Sequence, residues 1–112
     1  MRVELLYTEA DPTYMQTRQL LVEVLTEDAF ETAIQMIAVA SPEDAELLRF
    51  PGSPTIRIDG VDIDPAAADA PAAMTLRSYE PDVPAGARSA VPGRHLIRRA
   101  IERARGWGHG RS

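Results

Sequence analysis

Two short stretches hold the residues best suited to chemistry in this 112-residue chain: Tyr7-Thr8-Glu9-Ala10-Asp11-Pro12-Thr13-Tyr14 and Ser53-Pro54-Thr55. Asp11 is a candidate general acid or base, and Tyr7, Thr8, Thr13 and Tyr14 offer hydroxyls around the same turn. A plainer reading stands beside each. Asp before Pro is a good helix cap, worth about 1 kcal/mol, and the field at a helix N-terminus favours the carboxylate anion, which makes it a poorer acid and a weaker base. Tyr14 falls at helical spacing and is expected to face the core; Tyr7 is expected to end a strand. Asp59, Asp62 and Asp64 are better explained by a turn and a solvent-facing strand side than by a metal, since no Asp-x-Asp-x-Asp-Gly loop is present. His95 and His109 have no partner pattern, and Ser53 and Ser89 lack a nucleophile signature. No metal and no cofactor is expected. The complete absence of cysteine excludes disulfides, thiol nucleophiles, thiolate metal sites and iron–sulfur clusters.

The elements that must position these residues follow from pattern and punctuation. Val3 to Tyr7 is a mostly apolar run, as in a strand buried on both faces. Asp11-Pro12 reads as a cap followed by proline at the first helical position, opening a helix to about Glu27 with Tyr14, Leu20, Leu21, Val24 and Leu25 on its apolar stripe. Ala33 to Val39 reads as a second strand, reached through a connection at Thr26 to Glu31. Ser41-Pro42-Glu43-Asp44 signals another helix start, with Asp44 placed as in a capping box, and that helix ends near Phe50. Asp59-Gly60 between "TIRI" and "VDI" is a hairpin turn. Residues 64–91 are rich in Ala and Pro, too long for an ordinary connection, and read as a lid or a loose insert with a short extended piece at Thr75 to Tyr79. Pro92 opens a last helix with Leu96, Ile97, Ala100, Ile101 and Ala104 on one face; Gly106 stops it, and residues 106–112 read as a flexible tail.

A hydrophobic content of 45% and a charged content of 26% suit one globular domain, and no run approaches the roughly 20 apolar residues of a membrane span. The start, "MRVELLY", does not read as a secretory signal, so a cytoplasmic location is expected. The net charge of −5 hides a split, −11 over residues 1–84 and +6 over residues 85–112. Arginines closing and solvating the last helix explain the basic half better than nucleic acid does. Neither nucleic acid nor membrane is an expected partner. An Arg-rich last helix against an acidic body, together with a free sheet edge, permits a homo-oligomer.

The order strand, helix, strand, helix, strand, strand, helix, with Gly52-Ser53-Pro54-Thr55 ahead of the hairpin, resembles the thioredoxin-like proteins, in which Pro54 would be the cis-proline. The segment "LRFPGSPTIRIDGVDIDP", with "VELLY" and "LIRRAI", is similar to small bacterial thioredoxin-like proteins, some labelled alkylmercury-lyase-like, over most of residues 1–105. The resemblance implies an α/β thioredoxin-like fold, βαβαββα, with a mixed four-stranded sheet and helices on both faces. In those relatives the first turn reads Gly-Cys-Pro and a second cysteine precedes Arg-x-Tyr. Here Asp11 and Leu76 stand in those places, while Arg77 and Tyr79 remain. Thiol–disulfide exchange and carbon–mercury protonolysis both need thiols, so neither is open to this chain. The expectation is a redox-inactive protein binding a small molecule or a partner protein in the groove formed by Tyr7, Thr8, Asp11, Thr13, Tyr14, Ser53, Pro54 and Thr55, with residues 64–91 able to cover it. In redox-active relatives the backbone beside the cis-proline pairs with an extended substrate, so an exposed edge with unpaired groups is expected near Pro54. The alternative is a non-redox enzyme in which Asp11 or a nearby hydroxyl moves a proton, or which binds a low-molecular-weight thiol by analogy with glutathione transferases.

Overall fold

The computed structural model describes residues 1–27, 32–67, 69–79 and 86–106. Elements run β1 (Val3–Tyr7), α1 (Tyr14–Glu27), β2 (Ile34–Ala38), α2 (Pro42–Leu48), β3 (Thr55–Ile58), β4 (Val61–Asp62) and α3 (Arg94–Ala104), with a 3-10 turn at Pro65–Ala67. The strands form one mixed sheet in the order β2-β1-β3-β4. β1 runs parallel to β2 and antiparallel to β3, and β3 pairs antiparallel with β4. This α/β arrangement is compatible with a thioredoxin-like fold.

Side-chain alternation along β1 divides the interior in two. Val3 and Leu5 join Ile56 and Ile58 of β3 under Leu21, Val24 and Leu25 of α1 and Ile97, Ala100 and Ile101 of α3. Leu6, one residue out of phase, packs with Val39, Ala45 of α2 and Phe50 on the opposite face. Helices therefore cover both faces, α1 and α3 on one and α2 on the other. Arginines hold α3 to α1: Arg94 pairs with Glu23 and Glu27, and Arg98 with Glu27. Arg103 donates to the Ile63 carbonyl at 3.1 Å. Much of the basic charge of α3 is thus engaged within the fold.

The turn chemistry accounts for the element ends. Asp59 and Gly60 take φ of 53° and 84°, the left-handed pair of a type I′ hairpin turn. Ser41 Oγ accepts the Asp44 N–H at 3.1 Å and Pro42 follows it as the first helical residue. Arg49 closes α2 in the left-handed region, with φ 53°, so the helix stops before Phe50.

Several boundaries differ from the sequence expectation. α1 begins at Tyr14 rather than Pro12, because the first helical bond runs from Thr17 N–H to the Thr13 carbonyl. β4 is two residues long; Ile63, whose N–H still donates to the Ile56 carbonyl at 3.1 Å, buries its side chain in the first core. α3 opens at Arg94 behind Gly93, which supplies no side-chain cap, and Ala104 is exposed. Residues 107–112 of the expected tail and residues 28–31 of the expected α1–β2 connection lie outside the described residues. Tyr14 does not face the core: it is half-buried and stacks on Tyr7, ring centroids 4.2 Å apart at 16°. Thr17, one turn on, takes the buried position instead.

Candidate functional site

Asp11 follows β1 by four residues and Ser53 precedes β3 by two, and the central pairing of β1 with β3 brings them together. Ser53 Oγ donates to Asp11 Oδ2 at 2.6 Å and accepts the Thr8 N–H at 3.1 Å. Asp11 Oδ1 accepts two donors from Thr13, the N–H at 2.8 Å and the Oγ–H at 2.7 Å. Asp11 N–H closes the turn on the Thr8 carbonyl at 3.1 Å. The carboxylate is 1% exposed and Ser53 is fully buried. A buried carboxylate with three donors has its charge compensated where it stands. Asp11 is therefore not the cap of α1 that the sequence suggests: the helix begins at Tyr14, and the one backbone donor Asp11 satisfies is the Thr13 N–H ahead of it, while its other oxygen ties the first turn to Ser53.

Ser53 is engaged by its backbone as well. Its N–H donates to the Thr75 carbonyl at 2.9 Å and its carbonyl accepts the Arg77 N–H at 2.8 Å, a parallel bridge centred on Leu76. The expected unpaired edge beside Pro54 is therefore absent: residues 73–79 of the same chain lie along it as a strap. The Ser53–Pro54 bond is cis. Gly52, with φ 138°, lets the strap come close; a Cβ there would sit 3.0 Å from the Thr75 carbonyl oxygen and 3.1 Å from Arg77 Cβ.

Arg77 and Tyr79 anchor the strap. The Arg77 guanidinium makes a two-point contact with Asp62, Nη1 to Oδ2 at 2.8 Å and Nη2 to Oδ1 at 2.9 Å, and Nη1 also donates to Thr55 Oγ1 at 2.9 Å. Thr55 Oγ–H in turn donates to the Gly52 carbonyl at 2.7 Å. Burial alone would weaken the charge on Arg77, but the hydrogen bonds and charge of Asp62 outweigh it and leave the guanidinium more basic than usual. The Arg77 guanidinium carbon lies 4.5 Å from the centroid of the Tyr79 ring. Tyr79 is fully buried and its hydroxyl donates to the Pro54 carbonyl. Burial pushes that phenol far above the ordinary tyrosine range, with Arg77 pulling the other way. The insert is thus not loose over residues 73–79.

Asp62 is accordingly no solvent-facing carboxylate; its side chain is 12% exposed against 8% for Arg77. Asp64 accepts the Ala66 N–H at 3.0 Å and so caps the 3-10 turn. No group of three or more metal-ligating His, Cys, Asp or Glu residues occurs among the described residues.

Of the eight residues singled out from sequence, Thr8, Asp11, Thr13 and Ser53 form one network. Pro54 and Thr55 meet the strap anchors, and Tyr7 and Tyr14 pair with each other. Sequence reasoning missed Asp62 as a site residue and named Arg77 and Tyr79 only through the family motif. Open space lies to either side of this closed centre. A crevice of about 310 Å³ is lined by Thr8, Glu9 and Ala10 after β1, by Ala38, Val39 and Ala40 at the end of β2, and by Met74. A groove of about 330 Å³ lies against the hairpin, where Arg49, Arg57, Val61 and Asp62 meet. The first sits at the carboxyl ends of adjacent parallel strands, where open α/β sheets commonly bind ligands. No helix among the described residues is long and apolar enough to cross a membrane. Comparison with family models, with curated proteins and with solved structures returned no match to the chain.

Proposed function

We propose that this chain is a redox-inactive, thioredoxin-like domain that binds a small molecule in the crevice between Thr8–Ala10 and Ala38–Ala40, beneath Met74. The observation that carries this reading is the occupation of Ser53. Both of its backbone groups are bonded to the strap and its hydroxyl to Asp11, so the place where redox-active relatives pair with an extended substrate is filled by the chain itself. A peptide partner at that edge loses its main attraction. The neighbouring crevice stays open, with Ala10, Ala38, Val39, Ala40 and Met74 as apolar wall and Thr8 and Glu9 as polar groups able to orient a ligand. Proton transfer by Asp11 has less support, because both of its oxygens are engaged and neither reaches solvent freely.

The test is native mass spectrometry of the protein isolated gently from its source, followed by amide chemical-shift mapping of the molecule that travels with it. Shifts at Ala10, Ala38, Ala40 and Met74, abolished by Ala38→Trp in a folded variant, support the reading. A co-purifying partner protein with no small mass, or shifts confined to Arg49 and Arg57, overturns it.

A further inference from the structure

We infer that the free edge of β2 is a self-association surface, on which the β2 strand of a second copy of this chain adds antiparallel to make one continuous sheet. The alternation of backbone groups on β2 follows from a single bond, Val39 N–H to the Tyr7 carbonyl at 2.7 Å. Residues in phase with Val39, namely Gln35 and Ile37, turn their N–H and C=O toward β1, so Ile34, Met36 and Ala38 turn theirs outward. Those outward groups have no hydrogen-bond partner among the described residues, and β2 is the last strand of the sheet on that side.

Natural edges are blunted by charge, proline, bulges or shortness. The opposite edge follows that rule: β4 is two residues long and stands beside the exposed Asp59 of its hairpin turn. The β2 edge breaks it. Residues 32–40, "TAIQMIAVA", hold no charge and no proline in a chain of net charge −5. Both apolar layers run out at this edge, for Ile34 and Met36 pack on the first core and Ile37 on the second, yet all three remain half-exposed. An added strand would cover all three from the side. A second copy fits because a two-fold interface must be complementary to itself. Like charges set face to face across a two-fold axis repel, and residues 32–40 hold none.

The test combines sedimentation equilibrium over a wide concentration range with amide hydrogen exchange read by NMR. The expected result is a monomer–dimer equilibrium in which the Ile34, Met36 and Ala38 amides become protected as the dimer forms, while Gln35, Ile37 and Val39 are protected at every concentration. Gln35→Lys, a change at an exposed position that sets two like charges across the two-fold axis, should raise the dimer dissociation constant at least tenfold without lowering the melting temperature of the dilute protein. A strictly monomeric mass at about 1 mM overturns the inference. So does a dimer whose Ile34, Met36 and Ala38 amides still exchange freely, or a monomer that captures only a foreign strand at this edge.

Discussion

Replacing Ser53 by alanine removes one oxygen and breaks two buried bonds at once. The Thr8 N–H, in a residue 7% exposed, loses its acceptor, and Asp11 Oδ2 loses the donor held at 2.6 Å. A buried donor left unmade costs about 1–3 kcal/mol, and a bond to a charged group contributes about 1.5–3 kcal/mol, so the expected loss is about 3 kcal/mol. For a domain of this size that corresponds to a fall of roughly 10–15 °C in melting temperature. Asp11→Asn keeps the Oδ1 acceptor for Thr13 but cannot accept from Ser53 through its amide nitrogen, and its cost should be about 2 kcal/mol. Since the two changes attack the same bond, the double variant should be less destabilised than the sum by at least about 1 kcal/mol. Urea denaturation of the four proteins measures this directly. A Ser53→Ala loss below about 1 kcal/mol, or strict additivity with Asp11→Asn, would refute the view that this pair holds the first turn against the sheet.

Thr17 Oγ1 is buried and has no hydrogen-bond partner among the described residues, so Thr17→Val, of equal shape, should stabilise the fold by about 1 kcal/mol, read as a raised urea midpoint; a loss of stability would show the hydroxyl to be satisfied. Arg77→Met strands Asp62 and should cost about 3 kcal/mol, with partial recovery in the Arg77→Met/Asp62→Leu double variant; chemical denaturation checks both. The raised pKa of Tyr79 means that the native phenol keeps its proton where the unfolded one, at 10.0, releases it. Stability should therefore fall as pH rises above about 10, and absorbance titration at alkaline pH should find one of the three tyrosines ionising only on unfolding. Gly52→Ala should push the strap away from Ser53, seen as faster exchange of the Ser53 and Arg77 amides, because its Cβ meets a backbone oxygen at 3.0 Å.

Element types were legible wherever the signal was local. Ser41-Pro42 marked the start of α2 and Asp59-Gly60 the hairpin, because capping and left-handed turns depend on the residue standing at the position itself. The alternation of Leu5 and Leu6 did not by itself announce two cores, yet a strand read as buried on both faces led to the same arrangement. Long-range pairing was not legible. Nothing near Asp11 says that its acceptor will serve Ser53, 42 positions away, and nothing near Asp62 says that Arg77 will neutralise it. Tyr14 shows the limit of periodicity. It lies on the apolar stripe of α1, but at the helix entrance it stacks on the Tyr7 ring at the end of β1, and Thr17 takes the interior position.

The strap has a kinetic and competitive meaning beyond its bonds. A tethered segment meets its own groove at an effective concentration on the order of millimolar for a short connection, and here Arg77 and Tyr79 add anchors that a free peptide would have to match. Where the strap's own intrinsic affinity for Ser53 is about micromolar, a roughly millimolar effective concentration holds off an outside strand about a thousandfold. An outside strand thus meets a Ser53 whose backbone N–H and C=O are already bonded within the chain.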